Sequence, residues 1–180
     1  MKRVAMLLTV LLSLGGAGTA GTTQAWGGSA STTEGAGARE ARFPPLTLPQ
    51  LGIRRASVIP VGINRRGQLA VGGSVRSLYT WKDGVRPGQQ GSAVIAGHTW
   101  SRGAGVFDRL GSLRAGDRFS VGRADFEVTR LRRVRRLSHQ EVRGLFSDRG
   151  PARVVLITCG DRSVTTGVYA TRILVFADKV

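Results

Sequence analysis

The stretch RVVLITCG at residues 153–160 decides the fold class of this chain. It is an apolar run rich in β-branched residues, and residues 168–176 form a second run of the same kind. Runs of this length and composition predict buried β-strands. Because only a short polar segment separates the two runs, we expect them to pair as a hairpin.

Shorter runs before this hairpin predict the rest of a mostly β domain. Expected strands lie at residues 46–53, 56–63, 68–71, 92–96, 118–121 and 125–131. Pro49 and Pro60 confine the first two to edges or strand ends. Helix is scarce: residues 106–110 fit a single turn, and Ser138 with Glu141 fits the capping box of a short helix. Short strands at this spacing predict an all-β fold, either a closed barrel or a sandwich.

The first segment of the chain has the composition of an export or anchoring sequence. Lys2 and Arg3 precede an apolar run from Val4 to Leu14. We expect residues 1–21 to be a signal peptide or an N-terminal membrane anchor, which places the rest of the chain outside the cytoplasm. Residues 22–42 are rich in Gly, Ser, Thr and Ala and predict a flexible stalk. Residues 43–180 are long enough to form one domain with its own core.

The chain is strongly basic, with 27 Lys and Arg residues, 11 Asp and Glu residues and a formal net charge of +16. The basic residues are densest at Arg130, Arg132, Arg133, Arg135 and Arg136. Alternation along a strand would send several of them to one face, which would either attract a polyanion or simply be a solvated face. Basic residues interleaved with exposed aromatics, typical of nucleic-acid binding, are missing. Anionic lipid headgroups and wall polymers therefore fit this charge better than nucleic acid.

Cys159 is the only cysteine in the chain, so it forms no internal disulfide. It is a nucleophile, a metal ligand or a buried core residue. A nearby cation makes a thiol nucleophilic, and His98, at the end of a predicted strand, is either that partner or a hydrogen-bonded rim residue. His139 begins a polar helix among arginines and is expected to be a surface residue. One cysteine and two distant histidines offer no zinc-binding spacing, so neither a metal nor another cofactor is expected.

Arg172 supplies a third candidate if the hairpin has a particular register. A turn centred between Thr165 and Thr166 would pair Cys159 with Arg172 across the two strands, with both side chains on one face. A guanidinium beside the thiol could then hold an oxyanion or orient a carbonyl.

These residues, taken in order, resemble the His, Cys and Arg of the sortases, the thiol transpeptidases of Gram-positive cell surfaces. The matching positions are His98 in Ala96-Gly97-His98, Cys159 after Thr158, and Arg172. Further segments resemble the class F branch: LPQLGI at 48–53, IPVGI at 59–63, RPG at 86–88, VFDRL at 106–110 and LRAGD at 113–117. The chain departs from many class F members at Thr99-Trp100, which is closer to the class A pattern, and its scattered acids do not indicate the class A calcium site.

The resemblance implies an eight-stranded sortase β-barrel over residues 43–180 and a two-step acyl transfer. Cys159 would attack an LPxTG-like sorting signal, His98 would move the proton, Arg172 would stabilise the oxyanion and Thr158 would contact the substrate. The implied partners are secreted proteins with a C-terminal sorting signal and an amine acceptor such as a peptidoglycan precursor. The N-terminal segment would attach the protein to the membrane. Two alternatives remain open: a hydrolytic thiol peptidase on the same fold, and a non-catalytic basic module that binds wall polymer.

Overall fold

A computed structural model describes residues 43–65, 68–100 and 104–180, and these residues fold mainly into β-strands. The signal or anchor predicted at residues 1–21 and the stalk predicted at residues 22–42 lie outside the described residues. In the part that is described, no helix combines the length and apolar content needed to cross a bilayer.

Nine strands form one sheet, with the order β2-β1-β6-β7-β9-β8-β5-β4-β3. The pairs β3/β4 and β5/β8 are parallel and the other pairs are antiparallel. The strands are β1 (Leu46–Leu48), β2 (Ile53–Ala56), β3 (Val58–Val61), β4 (Leu78–Trp81), β5 (Ser92–Gly97), β6 (Arg118–Val121), β7 (Ala124–Val134), β8 (Arg153–Arg162) and β9 (Tyr169–Lys179).

The two ends of this strand order lie next to each other in the chain. The edge strand β2 ends at Ala56, and the opposite edge strand β3 begins at Val58, so only Ser57 separates them. An extended residue spans roughly 3.5 Å, so a single linking residue holds the two edges close together. The sheet therefore curls into a nearly closed barrel, which confirms the mostly β, barrel-like fold class.

The strand count is nine, against the eight expected. The first predicted strand, at 46–53, ends early as β1, because a 3-10 turn, Pro49–Leu51, follows and Gly52 adopts a left-handed conformation with φ of 72°. Strand β2 (Ile53–Ala56) instead covers the residues expected to separate the first two strands. Strand β4 was not anticipated. The predicted strand at residues 68–71 is reduced to one bridge, between Ile63 and Leu69.

Strands β8 and β9 are apolar without alternation because both of their faces are buried. Val154 and Leu156 point into the barrel core, while Val155 and Ile157 belong to a second apolar cluster on the outer face. The helix α1 (His139–Leu145) contributes Leu145 to that outer cluster. The stretch at 153–160 is thus buried from both sides, which fixes the strand that carries Cys159.

Helix α1 begins with the predicted capping box. The Ser138 hydroxyl accepts from the Glu141 backbone N–H, and the Glu141 carboxylate accepts from the Ser138 backbone N–H at 2.8 Å. Arg132 on β7 also donates to this carboxylate at 2.9 Å. The backbone bond from Ser138, followed by the bond from Arg132, lowers the pKa of Glu141 to about 2.

Glu141→Gln is expected to lower the melting temperature by a few degrees at pH 7, because Gln keeps the reach of the side chain but loses its charge. The folded-state pKa lies below the ordinary value of 4.5, so the stabilisation is complete above pH 4.5 and disappears as the pH falls through about 2. Thermal unfolding by circular dichroism should therefore show the wild-type and variant curves converging below pH 4.5. Glu127→Gln, which affects an exposed bridge to Arg118, is the control, and an equal loss in both variants would contradict the capping role.

Candidate active site

Cys159 lies near the end of β8, directly opposite Arg172 on β9. The same register pairs Gly160 with Thr171 and Arg162 with Tyr169, so the hairpin turn has the centre that was predicted. Because directly paired residues project to the same side of a sheet, the thiol and the guanidinium share one face. The expected register is confirmed by this pairing.

His98 reaches Cys159 from the other neighbour of β8. Strands β5 and β8 are parallel, and their last backbone pair is Ala96 with Ile157. His98 and Cys159 each come two residues after this pair, so the register brings both residues to the same end of the sheet, where they line one pocket. The chain then turns away at His98, whose carbonyl accepts from Phe107 N at 3.1 Å. Gly97 permits this turn, since a Cβ there would lie 2.5 Å from the Phe107 ring.

One pocket contains all three predicted catalytic residues. His98, Cys159 and Arg172 lie in its wall, and most of the remaining wall is apolar: Leu69, Val71, Tyr79, Ala96 and Ile157. A mostly apolar cleft therefore ends at a thiol, an imidazole and a guanidinium.

Two opposing influences act on the pKa of Cys159. Burial raises the pKa above its ordinary value of 9.0, and the charge of Arg172 acts in the opposite direction without cancelling that rise. The resting thiol is therefore mostly protonated at neutral pH. A nucleophilic role for this thiol would therefore need a base, and His98 lines the same pocket.

Arg172 has an unused hydrogen-bond donor. Its Nη1 donates to the Thr171 carbonyl at 2.9 Å, while its Nε is buried and has no partner among the described residues. A buried N–H without a partner is uncommon in folded proteins and calls for an explanation. Nε itself is closed off from the pocket, whereas the Arg172 side chain lines the pocket with Cys159, so its guanidinium could donate to an oxygen bound there.

The orientation of His98 is set by Gly72. The ring atom Nε2 lies 2.8 Å from the Gly72 carbonyl oxygen, and a carbonyl only accepts, so this nitrogen carries the proton. The ring of Tyr79 packs edge-on at a centroid distance of 6.1 Å. These contacts leave Nδ1 as the nitrogen available to exchange a proton in the pocket.

Thr158 lines the same pocket as His98, Cys159 and Arg172. Its side chain is only 3% exposed. The hydroxyl donates to the Gly97 carbonyl at 2.8 Å and lies 2.7 Å from the hydroxyl of Thr99. Because these protein groups engage the hydroxyl, the geometry favours a role for Thr158 between β5 and β8, and its contact with substrate stays a prediction.

A second groove, which sequence reasoning missed, also reaches Cys159. Its polar wall contains Trp100, Asp108, Arg109, Arg133, Asp161, Arg162 and Tyr169. Both acidic residues are already engaged: Asp108 accepts from Trp100 N and Gly105 N, and Asp161 accepts from the Thr171 hydroxyl. Cys159 therefore stands between an apolar cleft and a polar groove.

The dense basic run is divided between surfaces. Arg130 packs over the Phe176 ring at 4.1 Å and Arg132 binds Glu141 on α1, so both lie on the face that carries the helix. Arg133 turns the other way, into the groove, and lies 3.9 Å from Asp161. These three arginines have partners within the protein, which favours a structural role for them over one polyanion-binding face. His139 is exposed, as expected.

No cluster of three or more His, Cys, Asp or Glu side chains suited to a metal ion occurs in residues 43–65, 68–100 and 104–180.

Comparison with known proteins gives a family match and a set of structural neighbours. The Sortase domain family model matches residues 46–180. Similar solved structures include sortase C-1 from Actinomyces oris, with 22% identity, 79% of this chain and 76% of that chain covered, and a TM-score of 0.57. Sortase C1 from Streptococcus agalactiae has 18% identity, with 81% of this chain and 70% of that chain covered and a TM-score of 0.58. Sortase A from Corynebacterium diphtheriae has 21% identity, with 77% of this chain and 60% of that chain covered and a TM-score of 0.55. At these identities the neighbours show the fold alone. A search of curated protein sequences finds no match.

Proposed function

Because the chain belongs to the sortase family, we propose that it is a cysteine transpeptidase that cleaves an LPxTG-like sorting signal and transfers the new end to an amine. The observation that carries the proposal is the convergence of Cys159, His98 and Arg172 in one pocket from three neighbouring strands or strand ends. The reaction has two acyl transfers that use the same thiol.

In the first transfer, Cys159 Sγ attacks the carbonyl carbon of the scissile amide. The thiol proton passes to His98, which donates it to the leaving amine as the C–N bond breaks. The Arg172 guanidinium, which lines the pocket, donates to the oxyanion of the tetrahedral intermediate. The products of this step are a thioester on Cys159 and a released peptide with a free amino terminus.

In the second transfer, an acceptor amine attacks the thioester carbon and gives its proton to His98. The C–S bond breaks, a new amide forms, and Cys159 leaves as a thiolate that regains a proton. The two cavities that meet at Cys159 support this scheme, because the apolar cleft suits the sorting signal and the polar groove leaves the acceptor a separate approach.

We assign the chain to the class F branch on its sequence. The Thr158-Cys159-Gly160 segment and the class F-like segments quoted above support this assignment, while Thr99-Trp100 follows the class A pattern. The proposed partners are secreted proteins with a C-terminal sorting signal and a peptidoglycan precursor or another amine. With residues 1–21 as an anchor, the domain would work at the extracytoplasmic face of the membrane.

Incubation of the protein with a panel of LPxTG-type peptides, followed by intact-mass spectrometry, tests this function. We expect an acyl adduct on Cys159, and in the presence of triglycine we expect the peptide–triglycine amide. An adduct that yields only the free acid at a rate independent of triglycine would identify the hydrolytic alternative. A folded protein with an intact thiol and no adduct from any peptide would favour the non-catalytic wall-binding alternative.

A further inference from the structure

We propose that Thr99 and Thr158 are positioning residues whose hydroxyls hold His98 and Cys159 together where the backbone pairing of β5 and β8 ends. The kinetic part of this inference rests on the proposed transpeptidase function. The structural part does not, because it concerns only how the imidazole and the thiol are held.

The backbone pairing between β5 and β8 does not extend to His98 and Cys159. The last pair between β5 and β8 is Ala96 with Ile157, which is two residues short of the reactive side chains. Beyond Gly97 the chain follows the 106–107 segment instead, since the His98 carbonyl accepts from Phe107 N. Backbone hydrogen bonds between β5 and β8 thus stop before His98 and Cys159.

Two threonine hydroxyls bridge the strands at that point. Thr158 Oγ1 lies 2.8 Å from the Gly97 carbonyl oxygen, and Thr99 Oγ1 lies 2.9 Å from the Cys159 carbonyl oxygen. The two hydroxyls are 2.7 Å apart. The residues on both sides of His98 are therefore tied to Cys159 or to the residue before it.

The three contacts share two hydroxyl hydrogens. If Thr158 donates to the Gly97 carbonyl, Thr99 donates either to Thr158 or to the Cys159 carbonyl. If Thr158 donates to Thr99 instead, Thr99 donates to the Cys159 carbonyl. In every arrangement both hydroxyls are used across the gap between the strands, so each threonine holds part of the bridge.

The bridge matters because neither reactive side chain is held to the other directly by the sheet. His98 is fixed from outside by the Gly72 carbonyl, and Cys159 is fixed by its pairing with Arg172. A shift of about 1 Å between catalytic groups can reduce a rate roughly 100-fold. Removing the bridge should therefore reduce turnover, and valine keeps the shape of the Thr158 side chain in the cleft wall.

Valine and serine variants separate the hydroxyl from the shape of the side chain. We expect Thr99→Val and Thr158→Val each to lower kcat for transpeptidation about 10-fold, with KM changed less than about twofold. Thr99→Ser and Thr158→Ser should restore most of kcat. Because the two valine changes remove a shared contact, the double variant should lose less than the product of the single losses.

Thr80→Val is the matched control. Thr80 is 1% exposed, and its hydroxyl donates to the Val94 carbonyl on β5 at 2.8 Å, so it is a buried threonine of the same kind away from the pocket. We expect this variant to lose stability like the others and to keep the wild-type kcat. Valine variants with wild-type kcat, serine variants as slow as the valine variants, or an equal kcat loss in Thr80→Val would each overturn the proposal.

A substrate-free measurement keeps the result independent of the proposed function. The pH dependence of Cys159 alkylation by iodoacetamide should change in Thr158→Val in the same way as in His98→Ala, and Thr158→Ser should behave like the wild type. If no sorting peptide forms an adduct, the transpeptidase function fails and this measurement still decides the bridge. An unchanged profile in Thr158→Val, beside a changed profile in His98→Ala, would refute it.

Discussion

Cys159→Ala is expected to abolish acyl-adduct formation and to lower transpeptidation by at least about 10⁴-fold, since removal of a nucleophile from a working catalytic set costs up to about 10⁶-fold. The variant keeps the pocket, because Ala leaves His98 and Arg172 in place on their own strands. Mass spectrometry and product chromatography measure the two losses. Circular dichroism shows whether the domain stays folded.

The same thiol gives a readout that needs no substrate. Cys159 is the only cysteine, so alkylation of the whole protein reports this one site. Burial raises its pKa above 9.0, so the rate of alkylation should keep rising with pH through the range from 7 to 9. A plateau below pH 8 would mean that His98 and Arg172 stabilise the thiolate more strongly than burial opposes it.

Local features of this fold could be predicted from sequence because short-range physics determines them. The run at 153–160 and its partner strand are both apolar, and a short polar turn joins them, so their hairpin follows from the chain itself, whereas its register rested on an assumed turn centre. The capping box of α1 depends on two side chains three residues apart, Ser138 and Glu141. Both features need no knowledge of distant residues.

Features that depend on contacts between residues distant in sequence could not be predicted from local sequence patterns. Apolar runs at 92–96 and 153–158 predict two strands but not that they pair in parallel, and it is this pairing that brings His98 to Cys159. Strand β4 was overlooked because Leu78–Trp81 is only four residues long, even though Asp83-Gly84 follows it as a turn signal. The polar groove combines Trp100, Arg133 and Tyr169 from three separate parts of the chain, and no sequence motif predicts that they meet.

The hydrogen bonds of Thr158 also depend on residues that are distant in sequence. Thr158 precedes the nucleophile in the sequence, and that position alone predicted contact with the substrate. The structure shows its hydroxyl against Gly97 and Thr99, because the parallel register sets residue 97 beside residue 158. A residue next to a nucleophile can therefore serve the site by holding the neighbouring strand.

Arg172→Gln is expected to lower kcat for transpeptidation by about 10²–10³-fold, the usual cost of removing one donor to a tetrahedral intermediate. Two effects combine in this variant. The guanidinium donors in the pocket wall are lost, and so is the positive charge that lowers the pKa of Cys159, which should rise further. Alkylation at pH 7 to 8 should slow along with turnover. Arg153→Gln, which breaks a 2.7 Å pair with Asp178 at the far end of the same hairpin, is the control that should leave both rates unchanged.

Arg172→Lys separates charge from donor geometry. Lysine keeps the positive charge but lacks the planar guanidinium, so the pH dependence of Cys159 alkylation should stay close to that of the wild type while kcat remains reduced. Recovery of kcat with lysine would mean that charge alone is required and that the planar guanidinium has no catalytic use. Loss of both the alkylation profile and kcat would mean that the guanidinium fixes the β8–β9 end on which Cys159 lies. The predicted result is an unchanged alkylation profile of Cys159 with a reduced kcat. It would assign Arg172 to the oxyanion, because arginine and lysine would then differ only in the reaction with substrate.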